Sequence, residues 1–235
     1  MDKAATLICP LCAGTAISHF HSDARRDYYR CATCLLVFVP AQQHLSLAGE
    51  KSIYDLHQNV FTDEGYRRFL GRLCEPLCQH LQPQVCGLDF GCGPGPVLAQ
   101  MLELQGFDMT LFDPIYGNDT SVLERRYDFI TCTETVEHFC HPGREFKLLF
   151  SLLEPCGWLG IMTKQVIDRQ AFAGWHYKND ATHVSFFSRQ TFYWLAKMFQ
   201  AKLEFYGSDV ILLQKQSGPT AARSFCTSGR VHTKP

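Results

Sequence analysis

The chain has 235 residues, of which 46% are hydrophobic and 19% are charged, and its formal net charge at pH 7 is -1. This composition is that of a globular protein with room for one full domain and a small module. The near-neutral charge gives no overall attraction to polyanions, and no apolar run approaches the roughly 18–20 residues that span a membrane. The first ten residues lack the apolar stretch of a secretory signal peptide, so we predict a cytoplasmic protein that binds no membrane.

Two Cys-x-x-Cys pairs lie near the N-terminus, at Cys9 and Cys12 and again at Cys31 and Cys34. Two tight turns of this kind aim four sulfurs at one point, and four thiolates complete the tetrahedral coordination of a structural Zn²⁺. The chain has twelve cysteines, but they are spread over a long sequence without an export signal. Reduced thiols and metal ligation are therefore favoured over disulfides. We predict a zinc ribbon over residues 1–45.

The next segment, residues 46–81, is predicted to form a helical linker or lid. From Ile53 to Leu81 the apolar and aromatic residues recur at steps of three and four, which predicts helical structure. Arginines fall mostly on its other face. They are interpreted either as a solvated surface or as a basic edge that faces the substrate.

A glycine-rich motif, LDFGCGPG, follows at residues 88–95. The strand-like run Val85–Phe90 ends in this motif, and a helical pattern begins at Val97. Glycines at positions 91, 93 and 95 permit backbone angles that are closed to other residues, which allows a sharp turn and brings main-chain N–H groups close to a ligand. Strand, glycine turn and helix is the local geometry of a nucleotide-type pocket. An ordinary tight turn in an α/β core is the alternative.

Further strands alternate with helical patterns. Met109–Phe112 is a second strand, and it ends in Asp113, about 20 residues beyond the glycines, where a carboxylate can bind ribose hydroxyls. Tyr127–Cys132 and Trp158–Thr163 are later strands, whereas the strand and helix expected between Ile115 and Arg126 are abbreviated. The alternation implies a mostly parallel sheet, with ligands bound beyond the carboxyl ends of its strands.

The motifs LDFGCGPG, the strand ending in Asp113, YDFITCTETVEHF and LLEPCGWLGIMT occur in this order. Together they resemble the sequential motifs of class I S-adenosylmethionine-dependent methyltransferases. The resemblance covers roughly Gln82–Gln214. It implies an α/β, Rossmann-like, mostly parallel sheet of the seven-stranded type with helices on both faces, closed by the antiparallel pair Lys202–Tyr206 and Val210–Gln214. The predicted division of the chain is a zinc ribbon (1–45), a helical linker or lid (46–81), a methyltransferase core (82–216) and a disordered tail (217–235).

The resemblance also implies roles for individual residues. Asp89 and the glycine turn hold the methionine portion of S-adenosylmethionine. Asp113 holds the ribose hydroxyls, Pro114 lies near the adenine, and Thr133 and Glu134 border the methyl donor. The predicted cofactor-binding residues are Asp89, Gly91, Cys92, Gly93, Gly95, Asp113, Pro114 and Thr133.

A second metal site is suggested by Glu134, Glu137 and His138, spaced i, i+3 and i+4. If TETVEHF opens a helix, the three side chains share one face. With His183 from a later loop, or His176 as second choice, they form an oxygen and nitrogen set that suits Mg²⁺, Mn²⁺ or Zn²⁺. The arrangement resembles that of ubiquinone-biosynthesis O-methyltransferases and of the enzymes that methylate the 2′-hydroxyl at small-RNA 3′ ends. That resemblance implies a metal-activated hydroxyl.

Two metal-free interpretations stay open for the same residues. The Glu-His pair either packs the loop structurally, or His138 or His183 acts as a general base. The predicted catalytic residues are therefore Glu134, His138 and His183. The long segment 165–187 is rich in aromatic residues, which either line the acceptor pocket or cover the edge of the sheet.

We predict a methyltransferase that uses S-adenosylmethionine to methylate a small molecule at O, N or C, with O favoured. Its predicted cofactors are S-adenosylmethionine and a structural zinc. Whether a second divalent cation also binds stays open. The first alternative is an RNA methyltransferase whose zinc ribbon recognises RNA. The second is a non-catalytic protein that binds S-adenosylmethionine and contacts a partner through the ribbon.

Overall fold

The computed structural model describes residues 7–56 and 59–217, so the predicted disordered tail lies outside the described residues except for its first position. In chain order the strands are β1 (Ile17–Ser22), β2 (Asp27–Cys31), β3 (Val37–Phe38), β4 (Cys86–Phe90), β5 (Asp108–Phe112), β6 (Tyr127–Thr133), β7 (Leu153–Met162), β8 (Ser185–Phe186), β9 (Ala201–Tyr206) and β10 (Val210–Lys215). The α-helices are α1 (Leu47–Tyr54), α2 (Glu64–Cys78), α3 (Val97–Leu104), α4 (Pro142–Leu152), α5 (Arg169–Ala173) and α6 (Arg189–Met198).

The central sheet has six strands in the order β5-β4-β6-β7-β10-β9. β4 pairs in parallel with β5 and β6, and β6 pairs in parallel with β7. β10 is antiparallel to both β7 and β9, so the predicted closing pair is present. The predicted Rossmann-like fold is confirmed, with six strands instead of seven in the described part of the chain. The segment after β5 folds into a turn closed by the bridge between Asp113 and Gly117 and a 3₁₀ turn over Thr120–Glu124.

Helices cover both faces of this sheet, as predicted. Successive side chains of a strand point to opposite faces. Leu159 and Ile161 of β7 therefore join the hydrophobic core beneath α4 and α6. Trp158 and Met162 of the same strand join the core beneath α2 and α3. Burial of each such side chain contributes about 1.5–3 kcal/mol, so the two cores stabilise the packing of the helices on the sheet.

Residues 46–81 contain two helices, α1 and α2, so the helical stretch predicted from Ile53 to Leu81 is interrupted before Glu64. Asp63 ends the connection between them because its side chain accepts a hydrogen bond from Tyr66 N at 3.0 Å and caps α2. Ser46 caps α1 in the same way. Among the described residues, we find no helix with the length and apolar character that crossing a membrane requires.

The N-terminal strands share a sheet with the rest of the chain. β1, β2, β3 and β8 form it in that order, and β8 comes from the segment between β7 and α6. Phe20 and Tyr28 from the N-terminal strands pack with Phe172, Tyr177 and Phe186 in a third hydrophobic core. Of the two interpretations of the aromatic segment 165–187, packing is therefore the one that the structure supports. These rings join the N-terminal strands to the core.

Candidate active site

A cavity of about 560 Å³ lies at the carboxyl ends of β4, β5 and β6. The glycine turn and Asp113 line one side of it, and Glu134, His138 and His183 line the other. Residues of α1 and α2 also line this cavity. Its size is typical of small-molecule sites, and its position is the one that open α/β sheets provide for ligands.

The turn after β4 has the backbone that its glycines predict. Gly91 and Gly93 have φ values of +78° and +62°, and a Cβ on Gly91 would lie 2.2 Å from Cγ2 of Thr135. Gly91 N donates to Phe112 O at 2.7 Å, and Gly93 N donates to Oδ2 of Asp113 at 3.0 Å. These two amides therefore join the turn to the end of β5. We expected them to face a ligand, and the structure shows instead that they hold the two strand ends together.

Two carboxylates lie beside this turn. Asp89 is buried beneath it and accepts a hydrogen bond from Oγ1 of Thr131 at 2.7 Å. Burial raises the pKa of Asp89 to about 6, and the nearby charge of Asp113 adds to the shift. Asp113 itself accepts hydrogen bonds from the main-chain N–H groups of Ile115 and Tyr116, at 2.8 and 3.0 Å. Asp113 lines the cavity directly, whereas Asp89 lies beneath the turn and influences it through its charge.

Thr133 and Glu134, at the end of β6, carry polar atoms that lack a partner. Oγ1 of Thr133 and Oε1 of Glu134 are buried and have no hydrogen bond to the described residues. Glu134 has a φ of +48°, a left-handed conformation that costs energy in a residue other than glycine. Burial raises the pKa of Glu134 to about 7. Buried polar atoms are normally paired, so these two indicate a bound donor.

A 3₁₀ turn over Val136–His138 follows, where we predicted the start of a helix. The left-handed Glu134 precedes this turn, so the predicted shared helix face does not form. Glu134 and Glu137 instead meet through Tyr177, whose hydroxyl donates to Glu137 and lies 3.3 Å from Oε2 of Glu134. Thr163 donates to the other oxygen of Glu137 at 2.9 Å. Burial and the charge of Glu134 raise the pKa of Glu137 to about 8.

The two predicted catalytic histidines lie side by side, with ring centroids 4.7 Å apart. Nδ1 of His138 is 3.3 Å from Thr182 O, and Nδ1 of His183 is 2.7 Å from Tyr177 O. Because a carbonyl only accepts, each neutral ring carries its proton on Nδ1 and its lone pair on Nε2. Oδ2 of Asp180 lies 3.8 Å from Nε2 of His183, where it stabilises the protonated ring.

Three of the four predicted ligands of the second metal come together. Ligand atoms of Glu137, His138 and His183 all lie within 4.8 Å of one another. Glu134 is not part of this set. The second-choice ligand, His176, is exposed outside the cavity.

A family model described as a methyltransferase domain matches residues 61–204, more than half of the chain. The chain belongs to this methyltransferase family. The predicted identity as an S-adenosylmethionine-dependent methyltransferase is thereby confirmed, on the same segment that carries the glycine turn, the acidic strand ends and most of the cavity.

Solved structures of similar fold include several methyltransferases. One is a 1,6-didemethyltoxoflavin-N1-methyltransferase from Burkholderia thailandensis with 1,6-didemethyltoxoflavin and S-adenosylhomocysteine bound, at 16% identity and a TM-score of 0.49, covering 85% of this chain and 99% of that one. Another is a SAM-dependent methyltransferase from Archaeoglobus fulgidus, at 14% identity and a TM-score of 0.49, covering 63% of this chain and 94% of that one. No curated protein matches the sequence.

Six of the eight predicted cofactor residues line the cavity of this methyltransferase, namely Gly91, Cys92, Gly93, Asp113, Pro114 and Thr133. Asp89 lies beneath the turn, and Gly95 packs outside it, where a Cβ would lie 2.2 Å from Asn59 O. Sequence patterns did not identify the lining side chains of the lid and of the later loop, which are Leu47, Glu50, Tyr54, Asn59, Tyr66, Phe69 and Asp180. The helical periodicity at Tyr54, Tyr66 and Phe69 indicated burial but not a cavity.

The four cysteines predicted to bind zinc also meet in this methyltransferase. Sγ of Cys9 lies 3.4 Å from that of Cys34, and Sγ of Cys12 lies 3.5 Å from that of Cys31. All four sulfurs are within 4.8 Å of one another. Gly14 N donates to Sγ of Cys12 at 3.4 Å, an interaction that favours a thiolate.

Proposed function

We propose that the enzyme transfers the methyl group of S-adenosylmethionine to a hydroxyl oxygen of a small, uncharged molecule. The observation that carries the proposal is that cofactor-type residues and acid–base residues line one cavity. We call the first set the cofactor wall (Gly91, Cys92, Gly93, Pro94, Asp113 and Pro114). The second set is the acceptor wall (His138, Asp180 and His183).

The cofactor fits the cavity on two grounds. The unpaired buried oxygens of Thr133 and Glu134 are acceptors for a donor such as the ammonium group of S-adenosylmethionine. In the described part of the chain, four carboxylates and no lysine or arginine line the cavity, so it favours a ligand with positive charge. When bound, S-adenosylmethionine supplies a methyl group on a positively charged sulfur. Asp113 would hold its ribose hydroxyls.

His183 is the residue that we assign as general base. A neutral hydroxyl is a poor nucleophile and must lose its proton as it attacks, whereas a neutral amine attacks without prior help from a base. A base on the acceptor wall therefore favours O-methylation. The hydrogen bond from Nδ1 to Tyr177 O fixes the ring and leaves the lone pair on Nε2. The carboxylate of Asp180 stabilises the imidazolium that forms. The neighbouring His138 would orient the acceptor hydroxyl.

The charge of the cavity bears on the class of acceptor. The carboxylates that favour a cationic cofactor repel phosphate groups, so RNA and phosphorylated metabolites are disfavoured. The net charge of -1 gives no compensating attraction. The favoured acceptors are uncharged hydroxyl compounds such as sugars and other biosynthetic intermediates.

A second candidate for activating the hydroxyl is a divalent cation held by Glu137, His138 and His183. The closeness of their ligand atoms favours it, and such a set suits Mn²⁺, Zn²⁺ or, less well, Mg²⁺. A bound cation would lower the pKa of an acceptor hydroxyl. Against it, both oxygens of Glu137 already accept hydrogen bonds. To test this, the protein is dialysed against EDTA, Zn²⁺ alone is restored, and activity is measured. Activity that survives would exclude Mg²⁺ and Mn²⁺ as the activating cation and would leave Zn²⁺ and the metal-free base as the candidates.

We further propose that Cys9, Cys12, Cys31 and Cys34 hold a structural Zn²⁺. A tetrahedron with Zn–S bonds of about 2.3 Å has its sulfurs about 3.8 Å apart, close to the separations observed. Elemental analysis of the purified protein is expected to give about one zinc per chain. A Cys34→Ser variant that keeps the same zinc content would contradict this assignment.

Calorimetry tests the cofactor half of the proposal. We expect S-adenosylmethionine to bind more tightly than S-adenosylhomocysteine, which lacks the positive sulfur. Asp113→Ala should weaken binding by about 10- to 100-fold, equivalent to about 1.4–2.8 kcal/mol, because the turn loses its acceptor. Asp119→Ala is the matched control, because Asp119 is exposed and lies outside the cavity. Equal losses in both variants would contradict the assignment of Asp113.

Turnover tests the other half. The protein is incubated with radiolabelled S-adenosylmethionine and either a panel of uncharged hydroxyl compounds or total RNA. We expect label in a small molecule, and His183→Gln should lower the rate by at least about 100-fold while cofactor affinity stays the same. Label in RNA alone would contradict the proposed acceptor. Binding of S-adenosylmethionine without any transfer would favour a non-catalytic protein.

A further inference from the structure

The turn between β1 and β2, residues 23–26, contacts the segment that carries His183. The side chain of Arg26 is only 8% exposed, although it is charged. Its guanidinium donates to four main-chain carbonyl oxygens on that segment, those of Lys178, Asp180, Ala181 and His183. A buried charge needs such partners, and here the partners all belong to one loop.

A second pair of residues joins the same two segments. Nζ of Lys178 lies 2.9 Å from Oδ2 of Asp23, and both side chains are largely buried. Although burial raises the pKa of Asp23, the hydrogen bonds from Lys178 and from the turn outweigh it and hold the pKa below its usual range. The carboxylate is therefore ionised. The hydroxyl of Tyr28 adds a bond to the same oxygen at 3.0 Å.

The chain after His183 is held by the N-terminal strands as well. Val39 N donates to Val184 O at 2.9 Å, and the next two residues form β8, which pairs with β3. On its other side, Val184 N donates to Glu137 O at 2.9 Å. His183 thus lies between two attachments to the N-terminal strands, one through Arg26 and one through β3.

We propose that Arg26 is a positioning residue of the active site, and that the N-terminal strands serve in cis to fix His183 on the acceptor wall. The inference rests on the proposed function, because the position of His183 matters to the reaction only if His183 serves it. It gives the cysteine-bearing module a role that needs no RNA and no partner protein. The guanidinium is suited to this role because its five N–H donors reach several carbonyls at once.

The adjacent arginine provides a matched control. Arg25 is exposed, and its side chain makes one hydrogen bond of 3.4 Å, to Asn179 O. Arg25→Ala and Arg26→Ala therefore remove the same side chain from neighbouring positions of one turn. Only the second removes the contacts to the carbonyls around His183.

The experiment uses the full-length, zinc-containing protein labelled with ¹⁵N-histidine. Long-range ¹H–¹⁵N correlation spectra report the tautomer and surroundings of each imidazole, and His183→Gln identifies the signals of His183. In the wild type we expect the Nδ1–H tautomer for His183. In Arg26→Ala these signals should shift or broaden, in Arg26→Lys they should shift less, and in Arg25→Ala they should stay in place. The affinity for S-adenosylmethionine, measured by calorimetry, should stay within about twofold in all three variants.

Unchanged His183 signals in folded Arg26 variants would overturn the proposal. So would an equal change in Arg25→Ala. If Arg26→Ala does not fold, the His183 signals of Arg26→Lys are used for the same test. Loss of cofactor binding together with the His183 change in Arg26→Lys would show a general structural role and would also overturn it. The histidine spectra need neither cofactor nor acceptor, so a wild type that fails to bind S-adenosylmethionine would contradict the proposed function and leave this comparison intact.

Discussion

The cofactor wall and the acceptor wall of the cavity are built in different ways. The cofactor wall comes from two short stretches, the turn after β4 and the turn after β5. Main-chain bonds from Gly91 and Gly93 join them directly. The acceptor wall combines the turn after β6 with the loop around His183, and Arg26 holds that loop from more than 150 positions away. One wall is fixed by local backbone geometry, the other by contacts between distant segments.

This difference separates the expected consequences of mutation. A change in the cofactor wall should act on affinity for S-adenosylmethionine, because the turn geometry is the binding site. A change in the acceptor wall should leave that affinity intact and act on protonation or on the surroundings of the histidines. Three variants test the separation, beginning with the one of largest expected effect.

Gly91→Ala should abolish measurable binding of S-adenosylmethionine. An alanine at a φ of +78° is strained by about 1–2 kcal/mol. Its Cβ would also lie 2.2 Å from Cγ2 of Thr135, so the turn must move. We expect calorimetry to show a loss of affinity of more than about 100-fold. The double variant with Thr135→Ala should recover part of it, because the closest atoms are removed.

Gly106→Ala is the control for backbone strain alone. Gly106 has a φ of +90°, but no heavy atom of a non-adjacent described residue lies within 4 Å of the Cβ it would gain. This variant should lose some stability and keep its cofactor affinity. If Gly91→Ala and Gly106→Ala weaken cofactor binding equally, the close approach of Gly91 to Thr135 is not the reason that the turn needs glycine.

Asp89→Asn should stabilise the cofactor-free protein and weaken cofactor binding. Burial raises the pKa of Asp89 from 3.8 to about 6, so folding favours the protonated carboxyl. That contribution is fully present below pH 4 and is lost as the pH rises through 6. Asparagine stays neutral, and at pH 8 the variant should gain about 3 kcal/mol relative to the wild type. Affinity for the cationic cofactor should fall by about 10-fold at that pH.

Urea unfolding between pH 4 and pH 8 measures the first effect, and calorimetry at pH 8 measures the second. The difference between variant and wild type cancels the titration of all other groups. Asp108→Asn is the matched control, because Asp108 is exposed on the neighbouring strand β5. Parallel pH profiles for wild type and Asp89→Asn would mean that Asp89 titrates as an ordinary carboxylate.

The same difference between the walls explains what the sequence predicts well. The glycine turn is recognisable because strand, turn and helix follow one another within a few residues, and Asp113 and Thr133 because each follows a short apolar strand. The four cysteines are recognisable because their spacing alone encodes a tetrahedral set. Each of these signals is local, so it can be read from neighbouring residues without knowing the contacts of the rest of the chain.

Other features depend on contacts that no local pattern records. Arg26 is one of several arginines in the chain, and nothing in its neighbourhood shows that it is buried against a loop 150 residues later. The 3₁₀ turn after Glu134 replaces a helix because that residue takes a left-handed conformation and its side chain meets Tyr177. Likewise, Phe172 belongs to a core that exists only because β3 pairs with β8.

The smallest expected effect comes from Tyr177→Phe, which removes a hydroxyl behind the acceptor wall. The pKa of Glu137 is raised to about 8 by burial and by Glu134, so Glu137 is protonated at pH 6 and ionised at pH 9. The ionised carboxylate depends on the Tyr177 donor. We expect a loss of about 1–2 kcal/mol in urea unfolding at pH 9 and a smaller one at pH 6. Cofactor affinity should not change.

Tyr193→Phe provides the comparison for this last variant, because the Tyr193 side chain is 57% exposed on α6 and should contribute less than about 0.5 kcal/mol at either pH. An equal loss of unfolding free energy for Tyr177→Phe at both pH values would mean that Glu137 does not titrate between pH 6 and pH 9. A loss of affinity for S-adenosylmethionine would be the more serious result. It would show that the Tyr177 hydroxyl supports cofactor binding as well as the acceptor wall. The mutational effects on the two walls would then not be separable at Tyr177, which lies between Glu134 and Glu137.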